Sequence, residues 1–196
     1  MLIYQSMHRA LLLAKRAPLA YAIEHKQYDA IELLLSRGAK PLLLHLKPRD
    51  IDVRVLKLLL RYGCDISEKY HYSTTLIHMI RFSNVEAVRL ILEHGADPSE
   101  PDNNGIPPII HVLQKNINTI EKIDALCQYG ADLTIKHAKK PLVWWVLGNS
   151  LSYDCLIPLL KWGMPCTWDD ISQHAHDSFT ENELKIIDGY IRANNR

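Results

Sequence analysis

Several things a catalytic, secreted or membrane-spanning chain would carry are missing from this sequence. Its four cysteines, Cys64, Cys127, Cys155 and Cys166, show neither a CxxC pair nor the dense spacing of a disulfide framework. They read as free, partly buried thiols of a reducing compartment, and the chain as cytoplasmic. Long apolar runs are absent: Leu142-Val143-Trp144-Trp145-Val146-Leu147 is among the longest, far short of the roughly 20 residues that cross a bilayer. The opening Met1-Leu2-Ile3-Tyr4 has no basic flank, and His8 and Arg9 interrupt any apolar core, so no secretory signal peptide is expected. Charge of one sign is also lacking. Lys and Arg total 23 against 22 Asp and Glu, a net charge of +1, which removes a global field that would draw the chain to nucleic acid or a membrane surface. No G-x-S-x-G, no Walker glycine loop and no H-E-x-x-H occurs, so the common hydrolase, nucleotide and zinc-protease chemistries have no motif to stand on. A hydrophobic share of 47% and a charged share of 23% nevertheless describe a folded chain rather than a disordered one.

What the chain does have is a period. A leucine-rich stretch closed by glycine returns five times. The first three copies are Leu33-Leu34-Leu35-Ser36-Arg37-Gly38, Leu58-Leu59-Leu60-Arg61-Tyr62-Gly63 and Leu90-Ile91-Leu92-Glu93-His94-Gly95. Ala125-Leu126-Cys127-Gln128-Tyr129-Gly130 and Leu159-Leu160-Lys161-Trp162-Gly163 follow. Successive glycines lie 25, 32, 35 and 33 residues apart, a spacing that implies stacked helical units, each covering its apolar face with a neighbour. Upstream of each glycine stands Pro18-Leu19, Pro41-Leu42, Thr75-Leu76, Pro108-Ile109 or Pro141-Leu142. Proline suits the first turn of a helix, where its missing N–H would be unpaired in any case. A short first helix, with Leu42, Leu43, Leu44 and Leu46 buried in one copy, is expected to lead through a polar break such as Arg81-Phe82-Ser83-Asn84 to a second helix. That second helix carries a stripe of Val85, Val88, Ile91 and Leu92, and glycine supplies the left-handed residue that ends it.

These residues resemble those of ankyrin-repeat proteins, whose pattern is a Thr-Pro-Leu-His first helix, a Val-Leu-Leu second helix and Gly-Ala-Asp leading into a β-hairpin loop. Gly95-Ala96-Asp97 and Gly130-Ala131-Asp132 match it, with Gly63-Cys64-Asp65 and Gly38-Ala39-Lys40 close behind. The resemblance covers about residues 17–166. It implies an all-α solenoid of stacked helix-turn-helix units, one domain over 1–196. Its parts are a cap helix at 1–16, repeats at about 17–38, 40–63, 74–95, 107–130 and 140–163, and a C-terminal cap at 167–196. The family histidine after Leu is replaced by Ala20, Leu43, Ile77, Ile110 and Val143, with His78 and His111 one residue later, so a less regular array is expected. Three repeats carry two extra residues between their helices, near Pro48-Arg49-Asp50, Asn116-Ile117-Asn118 and Asn149-Ser150-Leu151, and no hairpin fits between Gly38 and Leu42. Ser67, Ser99 and Thr134 stand where the family has asparagine.

The ends are expected to cap the stack. Leu2, Ile3, Met7, Leu11 and Leu12 give an apolar stripe over 2–15, and Asp169–Ala175 and Glu181–Ala193 read as a helix pair. Thr180-Glu181-Asn182-Glu183 is a capping box before a stripe of Leu184, Ile187 and Ile191. Trp162 and Trp168 are expected to thicken this C-terminal core. Trp144 and Trp145, adjacent on a helix and so about 100° apart, cannot both enter one seam.

The resemblance implies a binding module rather than an enzyme, with no cofactor, because such a stack offers an open concave face and not a pocket. Its partner is expected to be another protein, with no membrane role and a monomer apart from that partner. Hairpin tips and first-helix ends would meet it: Glu24 and His25, Lys47 and Pro48, then Tyr70, His71, Ser73, Arg81 and Phe82, next Asn103, Asn104, Ile106, Gln114 and Lys115, and last Lys136, His137, Lys139 and Trp144. An exposed Phe82 beside Arg81 is the expected anchor. Two alternatives stay open. The basic tip Lys136-His137-Lys139-Lys140, beside two tryptophans, suits nucleic acid or an acidic peptide. His174, His176, Cys166 and Asp177 form a weakly spaced metal set for a hydrolase, against which stands the plainer reading of capped helices and packed histidines. The irregular linkers are similar to those of ankyrin proteins of intracellular pathogens, which implies a host-directed effector.

Overall fold

The computed structural model of the chain describes residues 18–43, 51–67, 73–115, 119–148, 152–174 and 179–194. The expected helix over 2–15, the three inter-helix insertions, Leu44, Leu46, Lys47, Tyr70, His71, His176 and Asp177 lie outside them. The chain divides into two compact units, Met1–Glu68 and Lys69–Arg196.

In the first unit, α1 (residues 18–24) and α2 (Tyr28–Ser36) precede α3 (Val53–Arg61). Leu19, Ile23, Ile31 and Leu35 are buried, as are Val55, Leu56, Leu59 and Leu60 on the apolar stripe of α3. Asp52 caps α3, its Oδ1 accepting the Arg54 N–H at 2.9 Å, while Oδ2 accepts from the Tyr28 hydroxyl at 2.7 Å. One carboxylate thus ends a loop and pins it to α2.

The second unit holds α4 (Thr75–Phe82), α5 (Val85–Glu93), α6 (Pro108–Lys115) and α7 (Thr119–Gln128). A strand pair follows, β1 (Lys136–His137) with β2 (Lys140–Pro141), then α8 (Leu142–Leu147), α9 (Ser152–Lys161), α10 (Trp168–His174) and α11 (Glu181–Asn194). First helices α4, α6 and α8 each pack on the second helix that follows; they also pack on one another in order, as do α5, α7 and α9. Stacking therefore buries one face of every helix, and Ile77, Ile91, Ile110, Leu126 and Leu156 reach zero exposure. The expected stripe on α5 needs one correction. Val85 is only half-buried, and Ala87 takes the buried place beside Val88, Ile91 and Leu92.

All five repeat glycines adopt the left-handed conformation, with φ between 77° and 92°. At Gly95 its N–H donates to the Leu92 carbonyl (3.0 Å) and the Ala96 N–H to that of Ile91 (3.2 Å), and the other four copies repeat the pair. The last turn of each second helix is closed this way because an L side chain at that φ would crowd its own carbonyl. After it, an aspartate makes a second closure. Asp65 Oδ1 accepts from the Ser67 N–H and hydroxyl, Asp97 from the Ser99 N–H, and Asp132 from the Thr134 N–H and hydroxyl, all at 2.7–2.8 Å. Serine and threonine thus complete the turn where the family has asparagine. Ser99 goes further, its hydroxyl accepting the Asp132 N–H at 2.8 Å, a tie between successive loops.

The C-terminal pair is as expected at its capping box: Thr180 N–H and hydroxyl donate to Glu183 Oε2 at 2.7 and 2.8 Å. Ile187 and Ile191 are buried, while Leu184 is half-buried. The tryptophans are not where the sequence placed them. Trp162 and Trp168 are 46% and 38% exposed, each lying on the surface with its indole N–H donating to a carboxylate, Asp124 at 3.0 Å and Asp188 at 2.8 Å. Each tryptophan sits at a helix edge within reach of an acidic side chain on the neighbouring helix. An amphipathic ring satisfies its one donor there without entering the core.

Candidate functional site

The strip predicted to meet a partner falls, among described residues, almost wholly in the second unit. It begins at the end of α4. Arg81 is exposed, its guanidinium 5.3 Å from the centre of the Phe82 ring, whose other neighbour is the His78 ring at 5.0 Å. Phe82 is accordingly half-buried, not the free anchor the sequence suggested, because two side chains of its own helix cover it. Ser73 is buried as well and leaves the strip.

The loop before α6 supplies the next part. Asn103 and Asn104 are exposed, Ile106 is half-buried, and Gln114 at the end of α6 is exposed. Of Lys115 only the backbone, in α6, is described. What holds the asparagines out is a buried carboxylate the sequence reading passed over. Asp102 Oδ1 accepts the N–H groups of Asn104 (2.8 Å) and Ile106 (2.9 Å), and its Oδ2 faces His111 Nε2 at 3.1 Å. Both side chains are buried, at 6% and 7% exposure. Burial pushes the Asp102 carboxyl upward, but the two N–H groups and His111 outweigh it, and its pKa lies below the ordinary value. Burial holds the His111 imidazole below its ordinary value against the pull of Asp102. His111, one of the shifted histidines, is buried and bonds a loop carboxylate. The spacing Asp102-x-x-Gly105 ahead of Pro107-Pro108 was the available clue, with the histidine nine residues on.

The hairpin completes the strip. Lys136 pairs with Pro141 and His137 with Lys140 across β1–β2, leaving Ala138 and Lys139 as a two-residue turn, both at positive φ (52° and 63°). Such turns favour Asn-Gly, because a side chain is strained there. Replacing the pair by Ala138→Asn and Lys139→Gly is expected to stabilise the unit by about 1 kcal/mol, read as a higher midpoint in urea. Beneath the turn, Trp145 donates its indole N–H to the His137 carbonyl (3.3 Å) with ring centres 5.2 Å apart. Trp144, half-buried, carries the Lys140 ammonium 5.5 Å from its ring centre. One tryptophan thus goes under the loop, as two neighbours diverging on a helix require.

Other candidate chemistries find little to use. Among the described residues no three His, Cys, Asp or Glu side chains are placed to hold a metal ion, and no helix is long and apolar enough to cross a membrane. Asp169 and Asp170 lie in the first turn of α10, where Asp170 Oδ2 accepts the Thr167 N–H at 2.8 Å, a capping role. The four cysteines are free and buried. Burial pushes the thiols of Cys127 and Cys155 up to about 11 and Cys166 to about 12, which removes the thiolate a nucleophile needs. In the first unit, an open groove of about 480 Å³ between α2 and α3 is lined by Tyr28, Asp29, Glu32, Arg54, Lys57 and Arg61. Its charges answer each other, with Arg61 on Glu32 at 3.0 Å.

Stacked helix pairs closed by left-handed glycines and Asp-centred turns define an ankyrin-repeat protein. A family model described as ankyrin repeats (3 copies) matches residues 46–137, and the chain carries ankyrin repeats. It is 34% identical over 104 residues to Ankyrin repeat protein nuc-2 of Neurospora crassa, covering 48% of this chain and 10% of that protein. It is 32% identical over 102 residues to the transient receptor potential cation channel subfamily A member 1 of Homo sapiens, covering 47% and 9%. A viral ankyrin repeat protein of Acanthamoeba polyphaga mimivirus matches over 151 residues at 28% identity, covering 71% of this chain and 18% of its own. The chain thus spans about a tenth of the first two relatives and under a fifth of the third. Ankyrin repeats generally serve as protein–protein interaction modules.

Proposed function

We propose that this chain is a non-enzymatic interaction module that receives another protein on the strip running from Arg81 through Asn103, Asn104 and Gln114 to the β1–β2 hairpin. The observation that carries the reading is the Asp102–His111 pair. A buried carboxylate ties down the loop backbone at Asn104 and Ile106, beside exposed Asn103, and a pre-organised loop binds at lower entropic cost than a mobile one. Exposed side chains then come from three successive repeats along the stacked first helices, which suits an extended contact and not a small molecule. A host-directed role is part of the proposal. The similarity to a viral ankyrin repeat protein over 71% of the chain supports it.

The test is affinity capture from cell extract with the tagged chain, followed by mass spectrometry. Asn104→Ala with Gln114→Ala is expected to lose the captured protein, while Glu93→Gln with Lys161→Gln, on second helices, keeps it. Capture that survives the first pair and fails with the second would move the site to the opposite face.

A further inference from the structure

We infer that the segment received by this strip is acidic, a stretch of another protein rich in Asp and Glu whose carboxylates lie against Arg81 and the lysines of the hairpin. This rests on the binding reading above and specifies the partner's chemistry. The chain as a whole is nearly neutral, so any local excess of one sign comes from how the residues are arranged. Arg81, Lys136, Lys139 and Lys140 are all exposed, and among the described residues none has a carboxylate within ion-pair distance. They belong to one neighbourhood. Helix α4, which ends on Arg81, packs on α6, α6 packs on α8, and α8 packs on β2, whose Lys140 sits in register with His137.

The carboxylates of the same loops are spent elsewhere. Asp97 and Asp132 close their own turns at the base of each loop, Asp102 is buried on His111, and Glu100 is already engaged. At the two ends of the strip, the α4 terminus and the hairpin, the exposed charged groups are Arg81 and the three lysines. Long basic side chains in water gain little from one exposed partner each, but several converging on one segment steer its approach and fix its sign.

The aromatic rings decide between an acidic protein segment and a single-stranded nucleic acid. Sequence-tolerant binding of single strands needs ring faces open to stacked bases. Here Arg81 lies over Phe82 and Lys140 over Trp144, while Trp145 is engaged by His137. The rings serve as shelves that hold cations in place, which presents charge and withholds stacking surface.

The experiment is a fluorescence anisotropy titration of the full chain with three labelled probes: a Glu- and Leu-containing peptide, the same peptide with Lys for Glu, and single-stranded oligothymidine. The acidic peptide is expected to bind, the basic one not, and the affinity to fall as salt rises. Lys136→Gln, Lys139→Gln and Lys140→Gln together with Arg81→Gln should weaken the acidic peptide by about tenfold or more with an unchanged melting temperature. Lys→Arg at the three hairpin positions, which keeps the charge, should preserve binding. Oligothymidine bound as tightly as the acidic peptide overturns the inference, and so does equal affinity in the Gln variant. If the acidic peptide does not bind while capture still depends on Asn104 and Gln114, the acidity falls and the interaction reading stands.

Discussion

Asp102→Ala is expected to lower the unfolding free energy of the second unit by about 3 kcal/mol. The side chain accepts the Asn104 and Ile106 N–H groups and faces His111 Nε2. Its removal orphans all three, and in a buried setting each unpaired donor carries its own desolvation cost. The same change frees Asn103 and Asn104, so partner capture should fall with stability. Asp102→Asn keeps an acceptor for the loop and should lose less. Urea denaturation of the two variants checks the order, and equal losses would mean the carboxylate's charge does not matter.

The pair also fixes a pH dependence. Both groups have folded pKa values below their ordinary ones, 6.5 for the histidine and 3.8 for the carboxyl. For each, the unfolded chain binds the proton more readily, so stability is full above the unfolded value and falls as the solution is acidified. Loss should begin below pH 6.5 as His111 is forced to choose between burial and charge, and steepen below 3.8 as Asp102 is neutralised. His111→Asn should remove the first part and leave the second.

The stack was legible because its determinants are local. Glycine at a left-handed position, threonine or proline at a helix start, and Leu or Ile at helical spacing each say the same thing five times over. The capping box at Thr180 was equally plain. What escaped the sequence was which groups meet across the chain. Trp162 was read as core because tryptophan is large and apolar, yet Asp124, 38 residues earlier on the neighbouring helix, holds it at the surface. Phe82 was read as exposed because it ends a helix, but its fate is set by Arg81 and His78 curling over it. Asp102 lies in a loop, and nothing in the repeat pattern marks it as the partner of His111, nine residues on. Helix phase fixes which face a residue occupies. Whether that face is covered depends on which particular side chains lie beside it, from the same helix for Phe82 and from another repeat for Trp162, and periodicity carries no record of them.

Leu126→Ala is expected to cost about 3–4 kcal/mol, the range for a large aliphatic truncated in a core that cannot collapse around the void. Leu126 has no exposure, and its helix α7 packs on α5, α6 and α9, so the lesion falls in the middle of the stack. Ile187 on α11 is buried to the same degree but lies in the terminal pair, whose packing in the stack is against α9 through α11 and α8 through α10. In an array where each repeat leans only on the next, the place of a lesion matters as much as its size. Ile187→Ala should therefore release α10 and α11 first and leave α4 and α6 protected, whereas Leu126→Ala should lower protection throughout the second unit. Amide hydrogen exchange separates the two, since local opening shows as fast exchange confined to the released helices. Slow exchange retained in α4 and α6 of Leu126→Ala would mean that the repeats bearing Arg81 and Asn104 hold together without their central neighbour. The strip would then be a property of one repeat pair, not of the stack.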